Sequence, residues 1–150
     1  MDADRFVRDY YEALRRGEPL DTYFQQGPDI VKIGVFSHRL GGEAVAEALR
    51  DQTARTEDWA VESRDLRTFS RDGFAHFVDD VRLVWTDTRR DHRHDVETRW
   101  TGLVEPQGEE PLFVSMHVSA VVERKRTDQG VERAQCGVAG PQSGADDGSE

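Results

Sequence analysis

The chain has 150 residues, 36% of them hydrophobic, with 30 acidic against 20 basic side chains and a formal net charge of −10. That length predicts one domain with a sizeable core, and no run of about 20 apolar residues is available for a transmembrane helix. The acidic balance argues against nucleic acid, whose phosphates need basic surfaces. The opening Met1-Asp2-Ala3-Asp4 lacks the basic-then-apolar order of a signal peptide, and Cys136, the single cysteine, permits no intrachain disulfide. A reducing, cytoplasmic setting is therefore expected, without membrane association.

Asp2 or Asp4 is placed to cap a first helix, along which Phe6, Val7, Tyr10 and Leu14 recur at helical spacing until Gly17. A short second helix is predicted over Leu20 to Gln26, closed by Gly27-Pro28, followed by a strand from Ile30 to Phe36. Gly41-Gly42 introduces a third helix with Val45, Leu49 and Thr53 on one face. Beyond Trp59 the pattern turns to strands at Ala60 to Phe69, Phe74 to Thr86, Asp95 to Val104 and Leu112 to Glu123. Turns are expected at Ser70 to Gly73 and Pro106 to Pro111, with a charged loop at Asp87 to His94. Helices followed by strands predict an α+β class, a strongly curved antiparallel sheet wrapped on N-terminal helices as a cone around a cavity. Residues 1–126 form this domain, and 127–150, rich in Gly, Gln, Asp and Ser, read as a disordered acidic tail.

The last strand carries the strongest functional signal. Phe113, Ser115, His117 and Ser119 alternate with Leu112, Val114, Met116 and Val118, so one face is apolar and the other polar. Arg99 and Thr101 alternate likewise one strand earlier. A polar row among apolar strands predicts a lined pocket. Asp79 stands within the apolar row Ala75, Phe77, Val81, Leu83 and Trp85, which points its carboxylate inward as a candidate general base or as the ion-pair partner of Arg99. Histidine titrates near neutrality, so His117 is the second catalytic candidate, or else a core histidine bonded to Ser115, Ser119 or Thr101. Arg99 could hold a carboxylate with its planar fork or brace the sheet. Tyr10, on the apolar stripe of the first helix, should face the cavity and complete the ligand-binding set of Tyr10, Arg99, Thr101, Ser115 and Ser119.

His92 and His94 within Asp91 to Asp95 lack a third ligand at a defined distance, so no metal is expected. No Gly-rich phosphate loop or nucleophile elbow is present, and no cofactor is expected. On the outer sheet face Phe74, Val78, Val84, Trp100, Val104, Val114 and Val118 would be costly in water, which predicts a homodimer through that face.

Three passages carry a family resemblance. They are Tyr10-Tyr11-Glu12-Ala13-Leu14-Arg15-Arg16-Gly17, then Ile33-Gly34 with Gly42-Glu43-Ala44-Val45, and finally Arg99-Trp100-Thr101 with Ser115-Met116-His117-Val118-Ser119. In this order, over Phe6 to Val122, the chain resembles the SnoaL-like domains of the nuclear-transport-factor-2-like (NTF2-like) superfamily. The resemblance implies the cone fold and a small-molecule pocket, and Arg99 in it would favour a small polar or anionic organic ligand. It also leaves open a cofactor-free isomerase, cyclase or hydratase using Asp79 or His117 as base, and a non-catalytic dimerisation module. Two departures stand out. Glu110-Pro111-Leu112 replaces the usual Gly-x-Trp before the last strand. In enzymes resembling ketosteroid isomerase an aspartate base sits in the first strand; that position falls here on Ile33, which cannot take a proton, although Tyr10 matches their oxyanion-donor tyrosine. The basic residues divide into 18 Arg and two Lys, Lys32 and Lys125. An acidic, lysine-poor surface is similar to that of proteins from salt-loving archaea, though GC-rich coding would also favour arginine.

Overall fold

In the computed structural model, which describes residues 1–122 with the backbone of 126–127 and 130–131, the first helix is α1 (Ala3–Arg16). Asp2 caps it by accepting the Arg5 N–H at 3.0 Å. Gly17, at φ 69°, closes it, with Glu18 N–H donating back to Ala13 O. Val7, Tyr10, Tyr11 and Leu14 are buried along one face. The predicted second helix is instead a single 3-10 turn, Asp21–Tyr23. Phe24 turns extended there, and the Gln25 N–H donates to Phe113 O, which draws the chain onto the sheet edge. The second helix proper, α2 (Gly42–Arg55), buries Val45 and Leu49. No helix among the described residues is long and apolar enough to cross a membrane.

The strands are β1 (Val31–Ile33), β2 (His38–Leu40), β3 (Thr56–Ser63), β4 (Arg67–Arg71), β5 (Phe74–Asp87), β6 (His92–Gln107) and β7 (Glu110–Ala120). They form one sheet in the order β2-β1-β7-β6-β5-β3, with β4 also paired to β5. The expected Ala60 to Phe69 strand is thus two, both antiparallel to β5 and separated where the Arg64 N–H donates to Asp80 O. The loop predicted from Asp87 to His94 is shorter, because β5 and β6 pair out to Asp87↔His92. The sheet is mixed rather than wholly antiparallel, since β1 runs parallel to β7. Of the tail predicted from 127 onward, only a ladder between β8 (Arg126–Thr127) and β9 (Gly130–Val131) is described, and the rest of that expectation lies outside the described residues.

Which face each strand buries decides where function can lie. On β5 the inward row is Ala75, Phe77, Asp79, Val81, Leu83 and Trp85, as its alternation predicts. On β6 the inward residues are Thr98, Trp100 and Val104. In β7 the register shifts, Leu103 pairing with Ser115 but Val104 with Phe113, so Val114 is an extra residue. This bulge lets Phe113, Met116 and Val118 all face inward. Trp100 and Val104 of β6 and Val118 of β7, expected on the outer face, are core residues instead.

Gly102 lies over the Phe77 ring, and a Cβ there would stand 2.5 Å from Phe77 Cε1 and 2.7 Å from the Ser115 carbonyl oxygen. Neither the buried ring nor the backbone can retreat cheaply. Gly102→Ala should destabilise the fold by about 2 kcal/mol through overpacking, measured by urea unfolding; a change within about 0.5 kcal/mol would show that the sheet yields at this point.

Candidate functional site

A cavity of about 470 Å³ opens between α1, α2 and the concave sheet face, within the range of small-molecule pockets. Tyr10 and Leu14 of α1, Leu83 of β5, Trp100 of β6 and Val118 of β7 line its apolar part. Trp59 of β3 and Trp85 of β5 form one wall, their rings stacked at 4.8 Å and 14°. A second bulge puts Trp59 there: the β3–β5 register shifts between Glu57 and Ala60, and Asp58 takes φ 56°. Thr56 and Trp59 consequently both line the cavity, joined by a hydrogen bond from Trp59 Nε1 to Thr56 Oγ1 at 2.9 Å. His94 also stacks on Trp85 at 4.7 Å, with Phe36 tilted against His94 at 5.6 Å. All three tryptophans of the chain line this cavity.

The charged groups gather in the same place. Lys32, Arg39, Arg55 and Arg90 line the cavity against two carboxylates, Asp51 and Asp87. Asp51 is held by Arg55 at 3.2 Å and Arg89 at 3.7 Å. Burial pushes the Asp87 carboxyl up. The backbone N–H groups of Arg89 and Arg90, with the Arg55 and Arg90 guanidiniums, outweigh this and hold it below its ordinary value. Among the described residues Lys32 and Arg39 have no carboxylate within 4 Å, and Arg90 acts on Asp87 only from beyond that distance. Burial lowers the Lys32 amine from its ordinary 10.5 to about 8. Burial also lowers His94, helped by His92, which favours its neutral ring.

Of the catalytic and ligand-binding candidates named from sequence, Tyr10 alone lines this cavity. Burial raises its phenol well above the ordinary value, so it is a hydroxyl at any physiological pH. Asp79 points inward as expected but lies beneath the cavity, 1% exposed. It accepts from Tyr11 Oη at 2.8 Å, Ser63 Oγ at 2.6 Å and the Asp65 N–H at 3.0 Å. Its partner is not Arg99, which reaches Asp80 at 3.8 Å on the outer face with 68% of its side chain exposed. A carboxylate so enclosed is a brace between α1, β3 and β5 with no open path to a ligand.

His117, Thr101, Ser115 and Ser119 also lie on the outer face with Arg99, which corrects the expectation that they line the inner pocket. The cause is the extra residue Val114, which reverses the faces of β7 after Phe113, together with the β5–β6 register that pairs Arg99 with Asp80 and Thr101 with Val78. Thr101, Ser115 and His117 instead border a shallow outer groove with Phe69, Val78 and Leu103. His92 and His94 meet edge to face at 4.4 Å beside Trp85, and the described residues contain no cluster of three metal-ligating side chains.

Lys32 escaped the sequence reading because it stands inside the apolar run Ile30 to Phe36. Its signal was compositional: a lysine between valine and isoleucine in a chain that otherwise uses arginine. The tryptophans and rim arginines had no such signal, since they come from separate elements.

Two helices laid across a curved sheet, enclosing a cavity against its concave face, define the NTF2-like fold. The chain belongs to the SnoaL-like domain family, whose sequence profile matches residues 4–123. No curated protein matches it by sequence. Among solved structures it is similar to an NTF2-like superfamily protein from Salmonella enterica, with 13% identity, TM-score 0.69, and coverage of 79% of this chain and 88% of that one. It is also similar to a ketosteroid isomerase-like protein from Erwinia carotovora, with 13% identity, TM-score 0.65, and coverage of 80% and 94%. A third is an uncharacterised protein with a cystatin-like fold from Caulobacter vibrioides, with 17% identity, TM-score 0.67, and coverage of 80% and 87%.

Proposed function

We propose that this SnoaL-like domain binds a small organic anion with a flat apolar body in the cavity walled by Trp59, Trp85 and Trp100. One observation carries the reading. In a chain of formal net charge −10, this cavity holds four cations against two carboxylates. Lys32 is part-buried with no carboxylate beside it, which is costly, and a ligand carboxylate would relieve that cost while the exposed Arg39 and Arg90 meet the same anion from the rim. Indole faces suit a planar body.

The three indole N–H resonances report on this cavity alone, so a titration with 2-naphthoate followed by NMR tests the reading. The carboxylate should shift them and bind about tenfold more tightly than neutral 2-naphthalenemethanol, and Arg90→Glu should remove most of that preference. Equal binding of the two compounds, or unmoved indole signals, would refute the anion site.

We also propose a homodimer through the outer sheet face. Phe69 and Val78, each 39% exposed, and the groove they border with Leu103 favour it. Val78→Asp should shift the protein to monomer in light scattering; an unchanged mass would place any dimer contact elsewhere. The acidic, arginine-rich composition further supports work in concentrated salt, predicting a higher melting temperature in about 2 M than in about 0.1 M potassium chloride, where self-repulsion is less screened.

A further inference from the structure

Lys32 enters the cavity from β1, whose neighbours Val31 and Ile33 face the outer groove. Its amine stops over Gly34: a Cβ on that residue would stand 3.4 Å from Lys32 Nζ and 3.2 Å from Ser37 Oγ. The missing side chain leaves the amine room beside a hydroxyl, at the wall of a cavity large enough for an organic molecule. No carboxylate among the described residues pairs with it. A counter-ion role alone would suit arginine equally, and arginine supplies 18 of the 20 basic residues of this chain. A guanidinium cannot give up its proton, whereas an amine can, and then becomes a nucleophile.

We infer that Lys32 is a nucleophilic amine that captures the carbonyl carbon of an aldehyde or ketone bearing an anionic group, forming an imine; this rests on the anion-binding reading of the same cavity. The nitrogen lone pair forms the C–N bond while the carbonyl π pair moves to oxygen, which takes one proton from nitrogen. The resulting carbinolamine loses its hydroxyl together with the second nitrogen proton as water, leaving C=N. No oxidant or reductant takes part. Rim guanidiniums hold the anionic group, the indoles hold the body, and the carbonyl is delivered to the wall where the amine waits. With the amine lowered to about 8, roughly a tenth of it is neutral at pH 7, far more than for a solvated lysine.

The chain offers unusually few competing amines: Lys32, Lys125 and the α-amino group. The full-length protein is treated with 4-formylbenzoate and cyanoborohydride, and the reduced adducts are located by peptide mass mapping. Lys32 should be labelled about tenfold faster than either other amine, 4-methylbenzoate should protect it, and Lys32→Arg should lose that adduct. Labelling of Lys32 no faster than Lys125 would overturn the inference. Because those relative rates are measured on the unaltered protein, they decide the question even where the variant folds poorly. The two readings fail separately. Binding of 2-naphthoate without labelling at Lys32 removes only the nucleophile. Equal labelling by 4-formylbenzoate and uncharged benzaldehyde removes the anion site and keeps the amine.

Discussion

Replacing Asp79 with alanine is expected to lower the unfolding free energy by about 3–5 kcal/mol, more than any other single substitution proposed for this protein. The carboxylate is 1% exposed and receives three donors, from Tyr11, Ser63 and the Asp65 backbone. Alanine would leave the buried Tyr11 hydroxyl without its acceptor, and would also remove the acceptor of the part-buried Ser63 hydroxyl and Asp65 N–H. Burial and the neighbouring Asp79 raise the Tyr11 phenol far above its ordinary value, so Tyr11 stays a donor over the whole working pH range. Asp79→Asn should cost about 2 kcal/mol, because the amide oxygen still accepts while its NH₂ faces other donors. Urea unfolding at neutral pH measures both. A loss below about 1 kcal/mol for the alanine variant would mean that the donors find other partners, and that Asp79 is free for a role other than bracing. Tyr11→Phe in the two backgrounds separates the contributions: its cost should largely vanish once Asp79 is gone.

Lys32→Met should stabilise the protein by about 2 kcal/mol near pH 7, an advantage that fades as pH rises from about 8 to 10.5. The direction follows from proton binding. In the folded state the amine titrates near 8, in the unfolded chain near 10.5. Between those values the unfolded state holds a proton that the folded state has lost, so stability of the natural protein climbs with pH across that window. Below it both states are protonated and the cost of enclosing the charge is fully present. Above it neither is, and the cost is gone. The full span corresponds to about 3 kcal/mol for an amine sealed from water; Lys32 is only partly buried, which reduces the expected effect to about 2 kcal/mol. Unfolding curves for both proteins at several pH values supply the test, because titration of all other groups cancels in the difference. Parallel profiles would show that the amine is solvated, and would remove the support that its lowered proton affinity lends to imine chemistry. A gain in stability at pH 7 also fits a residue retained for binding rather than for folding.

Local chemistry was legible from sequence alone. Asp2, the apolar spacing Val7, Tyr10, Leu14 and the terminal Gly17 specify α1 with its cap and its buried face, because each signal acts within one turn. The alternation through Ala75, Phe77, Asp79, Val81, Leu83 and Trp85 placed the inner face of β5 correctly, Asp79 included, because that strand pairs with β6 without a break in register. The family passages led to the NTF2-like cone because they fall, in order, on α1, β1, α2, β6 and β7.

The site was decided by tertiary structure, and mostly by two single residues. Val114 is an extra residue in β7, and it sends Ser115, His117 and Ser119 to the outer face although Phe113 points in. Asp58 is the extra residue in β3, and it turns Trp59 into the cavity. A period of two carries no record of a bulge, because the bulge is selected by what each strand packs against, not by its own alternation. The cavity's charge was equally hidden. Lys32, Arg39, Arg55 and Arg90 are spread over nearly sixty residues of an acidic chain, and only the packing of α2 against the sheet, with the β1–β2 edge and the β5–β6 turn, brings them to one opening. The chain's composition, caps and alternation determined which fold forms; strand register and long-range packing determined which residues that fold turns toward a ligand.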